Sequence, residues 1–187
     1  MSRLNTWSCR ALFAAGLTML MISFFLLLNN ELESERAGRA ADLAIRSFSE
    51  GFPVGVPADA SVPDGIAGVL YIPSLGLRLP VLDRMSDEGL KTAPCVYYGD
   101  GATLVIGGHN YRSHFGRLSR LGEGDDVMLT TRDGDNLVYT VAGAELLRED
   151  QCAEMISGGW DLTLFTCTMS RRQRITVRCV STDMSYY

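Results

Sequence analysis

Positive charge is in short supply in this chain: 17 Lys and Arg stand against 22 Asp and Glu, for a net charge of −5 and a pI near 5.0. No basic face can dominate such a surface, which excludes an ordinary nucleic-acid binder. Histidine is scarcer still, with two residues, His109 and His114. The five cysteines include no C-x-x-C pair and no spacing that suits zinc. There is no internal repeat, no low-complexity tract and no heptad seam, so solenoids and coiled coils are set aside. No calcium cage is evident, although Asp125 and Asp126 leave one open. No cofactor motif is present, and none is expected.

What is there begins with one long apolar run. After Arg3 and Arg10 no charge occurs from Ala11 to Asn30. About twenty helical residues span roughly 30 Å, the thickness of a bilayer core. A cleaved signal peptide is the rival reading, but Leu26-Leu-Leu-Asn-Asn-Glu31 offers no small-x-small site. An uncleaved single-pass anchor over 11–30 is therefore expected. Basic residues before it and Glu31, Glu33 and Glu35 after it put 1–10 in the cytoplasm and the rest outside. Residues 31–65 read as a helical, Ala-rich stalk and then a linker, because Gly51 to Gly65 holds three prolines and three glycines. The folded domain is expected over 66–187.

That domain reads as mainly β. Gly68–Ile72 and Leu77–Val81 form a hairpin through Pro73-Ser-Leu-Gly76. A helical turn falls within Asp83–Leu90. Strands follow at Cys95–Tyr98 and Thr103–Ile106, then a short helix at Phe115–Leu121. Asp126–Thr131 and Asn136–Ala142 flank Arg132-Asp-Gly-Asp135, a strong hairpin signal. A short helix over Asp150–Ser157 is capped by Asp150 and stopped by Gly158. About eight short strands and almost no long helix close most naturally into a small barrel.

The last two strands carry the chemistry. Asp161-Leu-Thr-Leu-Phe-Thr-Cys167 ends in a thiol, and a polar loop from Thr168 to Gln173 leads into Arg174-Ile-Thr-Val-Arg-Cys-Val180. Paired antiparallel, Cys167 and Arg174 fall opposite each other at the loop mouth. Leu162 and Leu164 face the core, leaving Thr163, Phe165 and Cys167 on the other face. Ile175, Val177 and Cys179 point inward, with Arg174, Thr176 and Arg178 outward. A guanidinium beside a thiol favours thiolate, the nucleophilic form. Cys95 and Cys179 take core positions, where a free Cys packs as a small hydrophobe.

His109 stands in Leu104-Val-Ile-Gly-Gly-His-Asn110, at the exit of an apolar strand, and its paired glycines permit a turn or a close backbone approach. Alone it reads more readily as a surface histidine in a turn than as a catalytic ring. His114, five residues on, reads still more strongly as a surface histidine in a turn.

Thr163-Leu-Phe-Thr-Cys167 resembles the Thr-Leu-x-Thr-Cys signature of the sortases, cysteine transpeptidases of the Gram-positive cell surface. Gly108-His109 after an apolar strand, Phe115-Gly-Arg-Leu118, and Arg174-Ile-Thr-Val177 after the cysteine also look like that family. The resemblance covers roughly Gly68 to Val180 and the N-terminal anchor. It implies the eight-stranded closed sortase barrel and a catalytic set of His109, Cys167 and Arg174. Arg172 shares the strand parity of Arg174 and is the alternative; Arg174 is favoured because it directly precedes Ile-x-Val. Thr163, Phe165 and Thr166 are candidate substrate-binding residues, an ordinary strand threonine being the alternative for Thr166. The segment Ala144–Gly159 would wall the signal pocket.

The resemblance further implies cleavage of a Leu-Pro-x-Thr-Gly-like sorting signal on secreted surface proteins or pilins. The acyl group would pass to an amine of a cell-wall precursor or a pilin lysine. A secreted cysteine hydrolase and a non-catalytic wall-binding barrel are the other classes compatible with the residues.

Overall fold

The computed structural model describes residues 6–49, 65–99 and 103–182. The expected linker, apart from Gly65, and the first five residues of the expected cytoplasmic tail lie outside the described residues.

The apolar run and the stalk form one helix, α1 (Thr6–Ser49), 44 residues long. At 1.5 Å per residue that is about 66 Å, roughly twice the hydrocarbon core of a bilayer. Within it Arg10–Leu43 is long and apolar enough to cross a membrane, and the apolar window is not buried by the rest of the chain. Past the uncharged run that ends at Asn30, α1 meets the barrel: Ser34, Ala37 and Ala41 are buried. Their spacing of three and four residues puts them on one face of the helix.

Eight strands close into a barrel in the order β1-β2-β3-β4-β7-β8-β6-β5. They are β1 (Ile66–Ile72), β2 (Leu77–Leu82), β3 (Cys95–Tyr98), β4 (Leu104–Gly108), β5 (Asp126–Thr131), β6 (Asn136–Arg148), β7 (Leu162–Cys167) and β8 (Gln173–Ser181). Helix α2 (Asp87–Thr92) follows β2, and α3 (Cys152–Ile156) lies between β6 and β7. The β1–β2 turn closes where Gly76, at φ 59°, donates its N–H to the Pro73 carbonyl. A left-handed backbone there suits glycine.

Alternation sets the interior. Leu162, Leu164, Val177 and Cys179 join Leu70, Ile72, Leu79, Val81, Ile106, Phe115 and Val127 in one core, with Ile175 packed against it. The expected inward faces of the last two strands are therefore the observed ones. The outer face of β7 is covered as well: Phe165 packs with Val105, Leu147 and Met155 in a second apolar cluster outside the barrel.

Three elements differ from the sequence reading. β4 runs through Gly107 and Gly108, which pair with Phe165 and Thr166, so the glycines lie in the strand and not in a turn. Their smallness serves close packing. A Cβ on Gly107 would stand 2.5 Å from the Phe165 ring, and one on Gly108 2.8 Å from the Phe115 ring. The expected Phe115–Leu121 helix shrinks to a single 3-10 turn at Leu118–Arg120. The expected helix from Asp150 is only Cys152–Ile156; Asp150 pairs with Arg148 at 3.1 Å instead of capping, and β6 continues past its expected end at Ala142 to Arg148. Gly158, at φ 103°, follows the helix end as expected.

Candidate active site

β4 and β7 are parallel neighbours, with Gly108 opposite Thr166. His109 and Cys167 are the next residue on each, so they leave adjacent strands side by side. Adjacent strands lie about 4.8 Å apart. On the far side of β7, Cys167 pairs directly with Arg174 of antiparallel β8. One edge of the barrel thus carries imidazole, thiol and guanidinium on three consecutive strands. Cys167 is exposed and Arg174 half-buried. Arg172 lies exposed in the loop before β8, after Arg171 at φ 59°.

Each group has a built setting. The Thr166 hydroxyl donates to the Gly108 carbonyl at 2.8 Å, tying the strand of the thiol to the strand of the histidine one residue before each. Arg174 Nη1 donates to the Glu149 carbonyl at 3.1 Å and to Cys152 Sγ at 3.4 Å. Its guanidinium carbon sits 5.8 Å above the centre of the Phe165 ring, within cation–π range. Tyr97 meets the same ring edge-on at 5.4 Å. Although partial burial pulls the other way, hydrogen bonding and charge at Cys152, and then at Cys167, hold the Arg174 proton more tightly than usual. The Cys152 thiol itself donates to the Glu149 carbonyl at 3.4 Å.

Burial pushes the His109 imidazole below its ordinary value, and the Arg171 charge adds to this against the opposing pull of Glu33 and Asp87. The ring is therefore mainly neutral at pH 7. Its centre lies 4.8 Å from that of the Tyr111 ring at a tilt of 40°, and Tyr111 in turn lies 5.6 Å from His114. Asn110 Nδ2 reaches Met169 Sδ at 3.5 Å and links the histidine turn to the loop after Cys167.

The remaining sequence candidates are committed to intramolecular partners. Thr163 is buried and its hydroxyl accepts from Arg178 Nη1 at 3.0 Å. Phe165 is 7% exposed and forms the floor under Arg174. His114, expected as a surface histidine in a turn, is instead fully buried beneath the turn that carries it.

Four residues were missed by sequence reasoning. Arg178, expected on an open face, is 5% exposed and makes a four-point clasp. It reaches Glu145 at 2.8 Å, the Met155 carbonyl at 2.8 Å, the Glu154 carbonyl at 2.7 Å and Thr163. It thereby staples α3, whose first residue is the Cys152 that holds Arg174. Cys152, Tyr97 and Tyr111 carried no motif that would have singled them out. Among the described residues no group of three His, Cys, Asp or Glu side chains is arranged to hold a metal ion.

Comparison with known proteins agrees with this architecture. No curated protein matches the chain. Solved structures do match in fold. Sortase C of Clostridium perfringens, described with the C-terminal cell wall sorting motif, is 22% identical with a TM-score of 0.57, over 89% of this chain and 100% of that one. Sortase A of Corynebacterium diphtheriae is 18% identical with a TM-score of 0.59, over 86% and 93%. The pilus-related sortase C of Group B Streptococcus is 19% identical with a TM-score of 0.57, over 84% and 90%. At these identities the likeness concerns the fold alone. The sortase domain model matches residues 70–182, more than half of the sequence, and the chain belongs to the sortase family.

Proposed function

We propose that the chain is a membrane-anchored cysteine transpeptidase with Cys167 as nucleophile, His109 as proton carrier and Arg174 as oxyanion donor. The observation that carries this is the strand register, Gly108 beside Thr166 and Cys167 opposite Arg174. The anchor is α1, with the N-terminus inside and the barrel outside.

The substrate is a Leu-Pro-x-Thr-Gly-like sorting signal on a secreted protein or pilin. That the related Clostridium perfringens structure is described with a cell wall sorting motif supports the class. Neutral His109 takes the Cys167 thiol proton, and the thiolate attacks the threonine carbonyl. A sulfur–carbon bond forms, and the oxyanion is met by the Arg174 guanidinium, which keeps its charge at any working pH. The carbon–nitrogen bond then breaks, and His109 returns its proton to the departing glycine amine. In the second half an acceptor amine attacks the thioester. His109 takes the amine proton, the sulfur–carbon bond breaks, and the proton goes back to the thiolate. The acceptor is an amine of a cell-wall precursor or a pilin lysine.

Thr163, Phe165 and Thr166 support the bound signal from beneath. Phe165 and Tyr97 pack edge to face beneath the Arg174 guanidinium. The β6–β7 connection around α3 forms the wall of the signal pocket. Incubating the full chain with a sorting-signal peptide tests the reading. Cleavage between threonine and glycine is expected, together with an adduct on Cys167 that is absent from Cys167→Ala. An active Cys167→Ala protein overturns it.

A further inference from the structure

The turn that carries His109 is not supported by the barrel alone. Residues 109–116 fold back on themselves: Phe115 N–H donates to the His109 carbonyl at 3.1 Å, and His114 and Gly116 N–H both donate to the Tyr111 carbonyl at 2.9 Å. The far side of this turn is gripped by α1. The Ser113 hydroxyl donates to the Ser34 carbonyl at 2.7 Å, and Ser113 N–H donates to Ser34 Oγ at 3.3 Å. The two hydroxyls lie 3.2 Å apart, across 79 residues of sequence. A Cβ on Gly38, one helical turn further along, would meet Ser113 Cβ at 3.3 Å, so helix and turn are in close contact. His114 is fully buried, and its ring nitrogens approach the backbone of Ala37 and Thr92 without closing a hydrogen bond of full geometry.

The contacts form a continuous chain. Helix α1 holds Ser113 and covers His114, His114 packs on Tyr111, and Tyr111 packs on His109. Ser34 lies only four residues past the uncharged run that ends at Asn30, about 6 Å along the helix. The grip therefore sits close to the expected membrane surface.

We propose that the membrane-proximal part of α1 is a working part of the active site, with Ser34 and Ser113 as positioning residues that set the orientation and burial of His109. This rests on His109 being the proton carrier of the proposed reaction. Disturbing the α1 contact at Ser34 and Gly38 would loosen the 109–116 turn and let His109 gain water. Burial is the largest influence holding the ring below its ordinary value, ahead of Arg171, Glu33, Asp87 and Lys91, so the ring moves back up even though the smaller upward pull of Glu33 on α1 weakens as well.

The test uses the full chain in micelles and has two arms that do not need activity. In Ser34→Cys/Ser113→Cys, mild oxidation should join the two sites. Peptide mapping after blocking free thiols should show the cross-linked peptide in most molecules. Its absence in a folded protein overturns the docking. In Gly38→Leu, which keeps the helix but crowds Ser113, the His109 ring titration followed by NMR should shift upwards relative to the unsubstituted chain. With only two histidines in the sequence, His114→Gln assigns the signals. An unchanged His109 titration overturns the positioning role.

The third arm is kinetic. Gly38→Leu and Ser113→Ala should lower kcat for a sorting-signal peptide about tenfold with KM nearly unchanged. Arg36→Ala, on the exposed side of α1, should leave both unchanged. Full activity in Gly38→Leu refutes the proposal while leaving the sortase reading intact. A parent chain that cleaves no signal peptide refutes the sortase reading, and the cross-link and titration still decide the docking.

Discussion

Cys167 and Arg174 form the last residue pair of the β7–β8 ladder, while the tip of Arg174 is held from outside the barrel by the Glu149 carbonyl and Cys152 Sγ. The backbone brings the guanidinium opposite the thiol, and the start of α3 sets where it points. Loss of either kind of support should be visible in catalysis.

Arg174→Ala removes the proposed oxyanion donor and should lower kcat/KM by a factor of about 100 to 1,000, or roughly 3–4 kcal/mol. Arg172→Ala should change it by less than about threefold, because Arg172 lies exposed outside β8. Steady-state kinetics with a signal peptide distinguish the two. The reverse order would make Arg172 the working arginine.

Cys152→Ala takes away one of the two groups that hold Arg174. The expected loss is about 1 kcal/mol in kcat/KM, the worth of an ordinary hydrogen bond, with Cys152→Ser close to the parent. If Cys152→Ala instead abolished acyl transfer, the assignment of the nucleophile to Cys167 would have to be revisited.

Arg178→Met should destabilise the fold by roughly 2–4 kcal/mol, since it strands the Thr163 hydroxyl and two α3 carbonyls behind an apolar side chain. The Glu145 contact adds little, because that carboxylate is half exposed. Denaturant unfolding gives the stability. A drop in kcat that outlasts correction for the folded fraction would show that α3 also supports Arg174. A stability within about 0.5 kcal/mol of the parent would contradict the buried clasp.

Burial pushes the His114 imidazole down to about 4. The unfolded chain, with an ordinary value near 6.5, binds more protons than the folded one between these limits. Stability is therefore fully present above about pH 6.5 and is lost as pH falls towards 4, by on the order of 3 kcal/mol. Unfolding curves across that window should show the loss in the parent chain, and His114→Gln should flatten it. An equal slope in both proteins would mean that His114 is not buried as a neutral ring.

The sequence made most of the barrel readable because alternation and turn chemistry are local. Leu162 and Leu164 against Phe165 and Cys167, and Gly76 at the first hairpin, each announce their place within a few residues. The thiol and the arginine were readable for the same reason, since a six-residue loop sets their register. What stayed hidden depends on elements remote in sequence. Arg178 has the parity of an exposed strand residue, and only the covering by α3 buries it. Ser34 and Ser113 are 79 residues apart and belong to no motif. Gly107-Gly108 was ambiguous between a turn and a close approach; the sizes of Phe165 and Phe115 decide it, and the Phe165 contact comes from a distant strand.

The central claim is that Cys167 forms a thioester that an amine resolves. The direct measurement is mass spectrometry of the full chain with a Leu-Pro-x-Thr-Gly peptide, with and without an acceptor such as a glycine peptide or a pilin-type lysine. The account requires an acyl adduct on Cys167, slow hydrolysis in buffer alone, and conversion of hydrolysed product into ligated product as amine is added. Hydrolysis that persists without ligation across all amines would make the protein a hydrolase. Turnover by Cys167→Ala would contradict the account outright.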